Sequence, residues 1–363
     1  MSANNDATQQ REAPARPHTK WGFAVLFGVV GSLIVGVLVL AFVWPIATAS
    51  AKNLPIAITG PSAQVAAVEK AVGAGSSSAI DFHSVRDRDA AVTRIKDRSV
   101  YGAIVLGAAP EVLTASAGSP VATQLLNGAA AQLQSRIAQQ VAASGGDPSA
   151  VSVPVTDVVP LAATDKSGTG LIAASFPLVL GGLLGGVVVS LLVVGVVRRL
   201  LALAVYAIAA GFVIALILQT WFGILQGDFL VNTAALSLAM LATASVVVGF
   251  NALIGPPGIA LGAVITLLIG NPISGAALPP QFLVEPWGAI GQFFVPGAAS
   301  GLVRELSYFP AADNGWRWWV LIAWAVGGLA LSAAGHFRSQ APIELPAREL
   351  EPDGRAQEAT TTA

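Results

Sequence analysis

Seven residues between positions 270 and 310 combine the polar, charged and aromatic side chains from which a substrate or lipid contact could be built. They are Asn271, Pro272, Ser274, Glu285, Trp287, Pro296 and Arg304. The stretch is apolar, but its prolines and glycines recur too often for a spanning helix. Broken backbone is tolerated at a membrane only against protein or water. Two interpretations stand: a structural plug of short helices, or a gate at which Arg304 pairs with Glu305, Glu285 or a lipid phosphate.

A second group of side chains with catalytic potential lies between positions 76 and 89. Its members are Ser76, Ser77, Ser78, Asp81, His83, Arg86 and Asp87. A hydrolase needs a nucleophile, a base in reach and a third group that orients the base, and no GxSxG motif suggests that arrangement. The alternating charges of residues 86–89 are typical of the start of a solvated helix. A GxxxxGK[ST] loop for ATP is also missing, so we predict no enzyme and no cofactor.

Composition excludes further classes of function and defines the class of protein. The sequence has no Cys and only three His, each isolated (His18, His83 and His336), which argues against a metal site. The formal net charge of −1 leaves no basic face for nucleic acid. Hydrophobic residues make up 54% and charged residues 11%, against about 25% charged residues in soluble domains. We therefore expect an integral membrane protein whose main partner is the lipid bilayer.

Apolar runs predict six transmembrane helices, interrupted by one large polar region. The predicted spans cover residues 21–46, 171–197, 200–222, 229–253, 257–269 and 316–334. The first run resembles a signal peptide in its basic flank and in the small residues at 47–49. Its ~25 apolar residues, however, exceed the 7–15 of a signal core and suit a membrane span. The glycines at 28–31 and 182–186 are expected to allow close helix packing.

Residues 47–170 are predicted to form an α/β domain outside the bilayer. Strands are expected at 54–60, 79–83, 101–107, 111–115 and 151–159, with helices at 61–72, 86–98 and 120–142. Strands that alternate with helices favour a small parallel sheet. At about 115 residues, the region is long enough for a hydrophobic core of its own.

The distribution of basic residues predicts the orientation, because Lys and Arg favour cytoplasmic loops. The basic clusters are Arg11, Arg16 and Lys20 before the first span, Arg198 and Arg199 after the second, and Arg338 after the last. All three clusters lie on one side if both termini are cytoplasmic. The predicted fold is thus a polytopic α-helical membrane protein with an extracytoplasmic α/β domain between helices one and two. A re-entrant-like segment, residues 270–310, then lies on the outer face between helices five and six.

The same scheme defines a membrane domain over residues 171–335 and two disordered cytoplasmic tails, residues 1–20 and 336–363. Between positions 200 and 303 the only charged residues are Asp228 and Glu285, both expected at the membrane interface. A charge inside the bilayer costs several kcal/mol and is retained only for function. We therefore do not expect transport coupled to protons or ions.

Several short motifs resemble the ABC type 2 exporter permeases, in particular the YhgE/Pip-like (phage infection protein) branch. They are GNPISG at 270–275, Pro-Trp-Gly at 286–288, VPGAAS at 295–300, Arg304 with Tyr308 and Phe309, IKDRSVYGAIVLG at 95–107 and EVLTASAGSP at 111–120. The order of one helix, a large outer domain and five helices is also similar. The resemblance covers roughly residues 21–338.

The resemblance implies an inner-membrane subunit of a bacterial cell that exports a hydrophobic or amphipathic substrate, as a homodimer with a separate cytoplasmic ATPase. The sequence departs from that pattern on its cytoplasmic side. The inner turns at 197–200 and 254–256 are too short for the coupling segments that an ATPase grips. An alternative is a non-transporting envelope, secretion-associated or receptor-type protein whose outer domain binds a partner.

Overall fold

The computed structural model describes residues 20–75 and 79–339, and for residues 71–75 and 336–339 it describes the backbone alone. The predictions for Ser76, Ser77 and Ser78, for His18 and His336, and for nearly all of both tails lie outside these limits. The described chain contains one α/β domain and a bundle of apolar helices.

Five described helices are long and apolar enough to cross a bilayer, as expected of a multi-pass membrane protein. They are α1 (Trp21–Ala47), α5 (Thr169–Leu192), α6 (Val196–Trp221), α7 (Phe229–Ile254) and α11 (Gly315–Ser339), the last apolar as far as Gly335. The fifth predicted span, at 257–269, corresponds to α8 (Pro256–Gly270), which is shorter, with eight residues of α-helix and seven in π turns. At 1.5 Å per residue it is about 22 Å long, against about 30 Å for the hydrocarbon core.

Helix α7 is the centre of the bundle and packs against α5, α6, α8 and α11. Gly182 and Gly186 of α5 lie so close to α7 that an added Cβ would come within 3 Å of its atoms, which confirms the packing predicted for residues 182–186. The same prediction is wrong for Gly28 and Gly31 of α1 within the described chain, because a Cβ built at either glycine would meet no neighbouring described atom within 4 Å.

The turn between α5 and α6 lies at residues 193–195, a few residues before the predicted break at 197–200. The shift puts Arg198 and Arg199 in the first turn of α6. The Arg199 guanidinium donates from Nε to the Val193 carbonyl at 2.7 Å. It thereby satisfies a carbonyl near the end of α5 that no longer has a helical partner.

The α/β domain contains a five-stranded sheet of order β2-β1-β3-β4-β5. Its elements are β1 (Leu54–Thr59), α2 (Ser62–Gly75), β2 (Ile80–Ser84), α3 (Arg88–Lys96), β3 (Gly102–Val105), β4 (Glu111–Thr114), α4 (Pro120–Ala143) and β5 (Val155–Asp157). The expectation of a parallel sheet is wrong at one pairing, because β3 and β4 are antiparallel. The hairpin between them has only residues 106–110, too few for the crossover that parallel neighbours require.

The 270–310 segment is built from short helices, as the plug interpretation expects: a 3₁₀ turn (Pro280–Phe282), α9 (Trp287–Gly291) and α10 (Val295–Tyr308). Helix α10 packs between α7 and α11 and buries Ala298 and Leu302 in the bundle core. Two aromatic residues of the segment enter the core of the α/β domain instead: Phe282 packs with Leu54 and Phe309 with Ala103. The segment therefore joins the domain to the bundle.

Candidate functional site

A buried cluster of charges lies where the α/β domain meets the 270–310 segment. The Glu305 carboxylate accepts from Arg98 Nη1 at 2.6 Å and from Arg317 Nε at 2.9 Å. The three side chains come from α10, from the loop before β3 and from the start of α11. Their exposed fractions are only 6%, 15% and 9% for Glu305, Arg98 and Arg317. One carboxylate therefore ties the domain, the segment and the last helix together.

Local backbone features bring both arginines to this carboxylate. Arg98 follows the end of α3 with a φ of 61°, a left-handed conformation that usually selects Gly at this position. The ion pair with Glu305 accounts for an arginine at this position, because from there the Arg98 guanidinium reaches the carboxylate. On the other side, Gly301 leaves room for the Arg317 guanidinium, since a Cβ at Gly301 would lie 2.2 Å from Arg317 Nη1.

Arg304 lies beside this cluster but does not share its carboxylate. Its Nη2 donates to the Ala276 carbonyl at 3.1 Å and its Nη1 to the Gly118 carbonyl at 3.4 Å. Among the described residues, no carboxylate lies within 4.0 Å of the Arg304 guanidinium, so the predicted pairs with Glu305 and Glu285 are not formed. Burial, and next the Arg98 guanidinium, lower the pKa of Arg304 to about 10.

Neutral polar groups complete the cluster. The Tyr101 hydroxyl donates to Gln281 Oε1 at 3.1 Å, and burial raises the pKa of the Tyr101 phenol, so this group stays neutral. Gln292 accepts from Arg317 Nη1 at 3.2 Å and donates to the Ser274 carbonyl at 2.9 Å. We call Arg98, Tyr101, Gln292, Arg304, Glu305 and Arg317 the polar junction. With three guanidinium groups around one carboxylate, the polar junction is suited to binding an anion.

A cavity of about 420 Å³ opens onto the polar junction, and we call it the basic cavity. Four cationic and two acidic side chains line it: Lys52, Arg98, Arg304, Arg317, Glu285 and Glu305. Its volume lies within the range of small-molecule sites, roughly 300–1,000 Å³. Lys52 and Glu285 are exposed, whereas the three arginines lie deeper.

Two smaller crevices adjoin the basic cavity. The lateral crevice, of about 120 Å³, lies between the end of α1, α5 and residues 271–278, and shares Gly275 and Leu283 with the basic cavity. The inner crevice, of about 30 Å³, lies among α5, α7 and α10 and shares Ser175 and Asn271 with the lateral crevice. The inner crevice also shares Ser300 with the basic cavity, so the three spaces adjoin one another between the helix bundle and the α/β domain, and we call them together the cavity row.

The structure places six of the seven predicted site residues along the cavity row. Glu285 and Arg304 line the basic cavity, Asn271, Pro272 and Ser274 line the lateral crevice, and Pro296 lines the inner crevice. Trp287 is 41% exposed and lines none of the three. Asp228, expected at an interface, is the N-cap of α7 and accepts from the Val231 amide at 2.8 Å.

Sequence reasoning missed Arg98, Tyr101 and Arg317. The signal for Arg317 was available, because an arginine at the start of an otherwise apolar span is unusual enough to mark a functional or structural site. No comparable signal existed for Arg98, whose partner is 207 positions away. His83 and Asp81 lie 3.1 Å apart on an exposed strand, and Arg86 pairs with Asp87 in solvent.

Comparisons of the chain with protein-family models, with curated proteins and with solved structures find no match. The resemblance to exporter permeases therefore stays a prediction from short motifs. The fold and the polar junction define the protein only as a multi-pass helical membrane protein with an α/β domain.

Proposed function

We propose that the chain is a permease-like protein of the bacterial cell membrane, with both termini cytoplasmic, that exports an amphipathic substrate past the polar junction. The observation that carries the proposal is the row of three adjoining spaces between the bundle and the α/β domain. Irregular backbone at membrane depth is tolerated only where protein buries it or where it lines a water-filled cavity. The 270–310 segment provides that kind of backbone along the whole row.

The proposal includes a second copy of the chain and a separate ATPase. Helix α1 is exposed along its length, with only Pro45 buried, so most of its surface is free for lipid or for another chain. ATP would have to be hydrolysed elsewhere, because the sequence has no phosphate loop.

Filling the lateral and inner crevices, the two smaller spaces of the cavity row, tests the export proposal. Ser175 lines both crevices, so Ser175→Leu should fill the space and lower transport about tenfold or more while the protein still folds. Leu184→Phe, on the exposed face of the same helix (53% exposed), is the matched control. The assay is ATP-dependent movement of a fluorescent nitrobenzoxadiazole lipid in vesicles that hold the protein and the ATPase that copurifies with it.

The proposal fails if no ATPase associates with the protein and no ATP-dependent movement occurs. It also fails if Ser175→Leu and Leu184→Phe leave the rate equally unchanged. Either result would favour the second candidate, a non-transporting envelope protein whose α/β domain binds a partner.

One observation favours this second candidate. Only residues 193–195 join α5 to α6, and Gly255 alone joins α7 to α8. These two turns offer an ATPase little surface to hold. Cross-linking from the α/β domain, followed by identification of the captured protein, distinguishes the candidates, because a receptor should retain its partner without ATP.

Cysteine labelling tests the proposed orientation, since the sequence contains no Cys. Lys166→Cys lies in the exposed stretch before α5, and Arg198→Cys lies in the exposed first turn of α6. An impermeant maleimide should label Lys166→Cys in intact cells and Arg198→Cys only after lysis. The reverse pattern would overturn the orientation.

A further inference from the structure

The basic cavity carries more positive charge than its own acidic groups neutralise. Three arginines surround a single buried carboxylate, Glu305, and the exposed pair Lys52 and Glu285 adds no net charge. The lining therefore has a formal excess of two positive charges. A cation held away from water is costly unless an anion lies close to it, so the cavity is built to receive a negatively charged group.

Among the described residues, Arg304 is the arginine of the cavity that has no carboxylate partner. Arg98 and Arg317 both donate to Glu305, whereas Arg304 contacts only two backbone carbonyls among the described residues. A guanidinium carries five N–H donors in a planar fork. Two of them are occupied at Arg304, at distances of 3.1 and 3.4 Å, which leaves the others to meet an incoming anion.

The space beside the cavity is apolar and suits a hydrocarbon chain. The lateral crevice is lined by Phe42, Pro45 and Ile46 of α1 and continues from the basic cavity at Gly275 and Leu283. Helix α1 is exposed along its length, so the crevice lies beside the bilayer. A molecule with an anionic head and an apolar tail would match both spaces at once.

We infer that the basic cavity binds the phosphate group of an amphipathic, lipid-like substrate, with Arg304 and Lys52 as the contacts that recognise it. The apolar tail lies in the lateral crevice, between α1 and α5. This inference rests on the proposed function and names the chemical class of the substrate. Phosphate suits the site because guanidinium groups bind its oxygens in a bidentate manner and it can carry the two negative charges that the cavity lacks.

Binding of short-chain lipids to the full-length protein in detergent tests the inference. The probes are dihexanoyl phosphatidic acid, dihexanoylglycerol, which lacks the phosphate, and inorganic phosphate, which lacks the tail. Phosphatidic acid should bind at least about tenfold more tightly than either of the others, a difference of about 1.4 kcal/mol. Isothermal titration calorimetry gives the three dissociation constants.

Variants then identify the contacts. Arg304→Gln should weaken phosphatidic acid about tenfold, and Lys52→Gln about threefold because Lys52 is exposed. Arg304→Lys keeps the charge but loses the bidentate fork of the guanidinium, so it should weaken binding less than Arg304→Gln does. Arg86→Gln is the control, because Arg86 is 83% exposed and does not line the cavity. If Arg304→Gln does not fold, Lys52→Gln and Arg304→Lys still decide the outcome.

Equal affinity for phosphatidic acid and dihexanoylglycerol would overturn the phosphate assignment. Equal affinity for phosphatidic acid and inorganic phosphate would show that the apolar tail does not contribute to binding, and would overturn the inference that the substrate is amphipathic. An equal loss of affinity in Arg86→Gln would show that the effect depends only on the net charge of the protein, and would overturn the assignment of the basic cavity as the binding site. The assay needs neither ATP nor transport, so selective binding without export contradicts the proposed function alone, and export without selective binding contradicts this inference alone.

Discussion

The helix bundle and the polar junction are held together in opposite ways. Around α7 the helices touch through small residues, and the side chains buried there are almost all apolar or hydroxyl-bearing. At the polar junction, distant parts of the chain are held together by the Glu305 carboxylate, which Arg98 and Arg317 share. The bundle is a close-packed scaffold, whereas the junction is a charged contact between distant parts of the chain.

The difference between the bundle and the polar junction follows from what surrounds them, since apolar helices pack against one another in lipid and charged groups do not. In lipid, helices gain nothing from hiding apolar surface from one another, so close packing and van der Waals contact decide their association. At the polar junction α10 contacts the α/β domain and α11, and charges are retained there if they are paired. Function is therefore more readily built into the junction, where polar groups and open space coincide.

Loss of the shared carboxylate should have the largest effect. Glu305→Gln leaves Arg98, Arg304 and Arg317 without a carboxylate in contact and should lower the free energy of unfolding by about 3–5 kcal/mol. Thermal unfolding in detergent, followed by tryptophan fluorescence, measures the loss. Glu69→Gln, on the exposed side of α2, is the control. A loss below about 1 kcal/mol, as for exposed pairs, would show that the junction is not held by this carboxylate.

Two neighbouring glycines test the packing of the bundle. A Cβ at Gly328 would lie 2.5 Å from the Ser245 backbone, whereas a Cβ at Gly327 would meet nothing within 4 Å. Gly328→Ala should therefore separate α7 from α11 and cost about 1–3 kcal/mol. Gly327→Ala should be neutral, or stabilise by up to about 1 kcal/mol through helix propensity. Equal unfolding temperatures for the two variants would contradict the described packing.

The exposed ion pair between Arg88 and Glu111 should have the smallest effect. Arg88 Nε lies 2.6 Å from Glu111 Oε2, but the Arg88 side chain is 46% exposed. Glu111→Gln should cost less than about 1 kcal/mol. The hydrogen bond from Arg88 holds the pKa of Glu111 below its ordinary value of 4.5. The pair therefore stabilises the fold above pH 4.5 and loses its contribution as the pH falls through the lowered pKa.

Unfolding measured across the acid range checks the last prediction. The wild-type chain should lose more stability than Glu111→Gln as the pH drops below about 4.5. If the stability of the two proteins falls in parallel as the pH drops, the ion pair contributes nothing to the free energy of unfolding. A loss as large as that of Glu305→Gln would erase the contrast between exposed and buried charges in this molecule.

The membrane class and most of the local elements follow from the amino-acid sequence alone. Runs of apolar residues are long enough to define α1, α5, α6, α7 and α11, because the bilayer thickness imposes the length of a spanning helix. Short apolar runs between polar segments predicted all five strands of the α/β domain, since a strand buried on both faces is apolar throughout. The prolines and glycines of residues 270–310 likewise excluded a single spanning helix there.

Which charged side chains form ion pairs can be seen only in the tertiary structure. Glu305 could have paired with its neighbour Arg304, yet it accepts from Arg98 and Arg317. Adjacent residues on a helix point in different directions, so sequence proximity does not bring their side chains together. The contact with Arg98 depends on how the α/β domain lies on α10, which is determined by the packing of Phe282 and Phe309 into the domain core. Such long-range packing leaves no periodic signal in the sequence. The position of Arg304, away from any carboxylate of the described residues, and the basic cavity are therefore visible only in the folded chain.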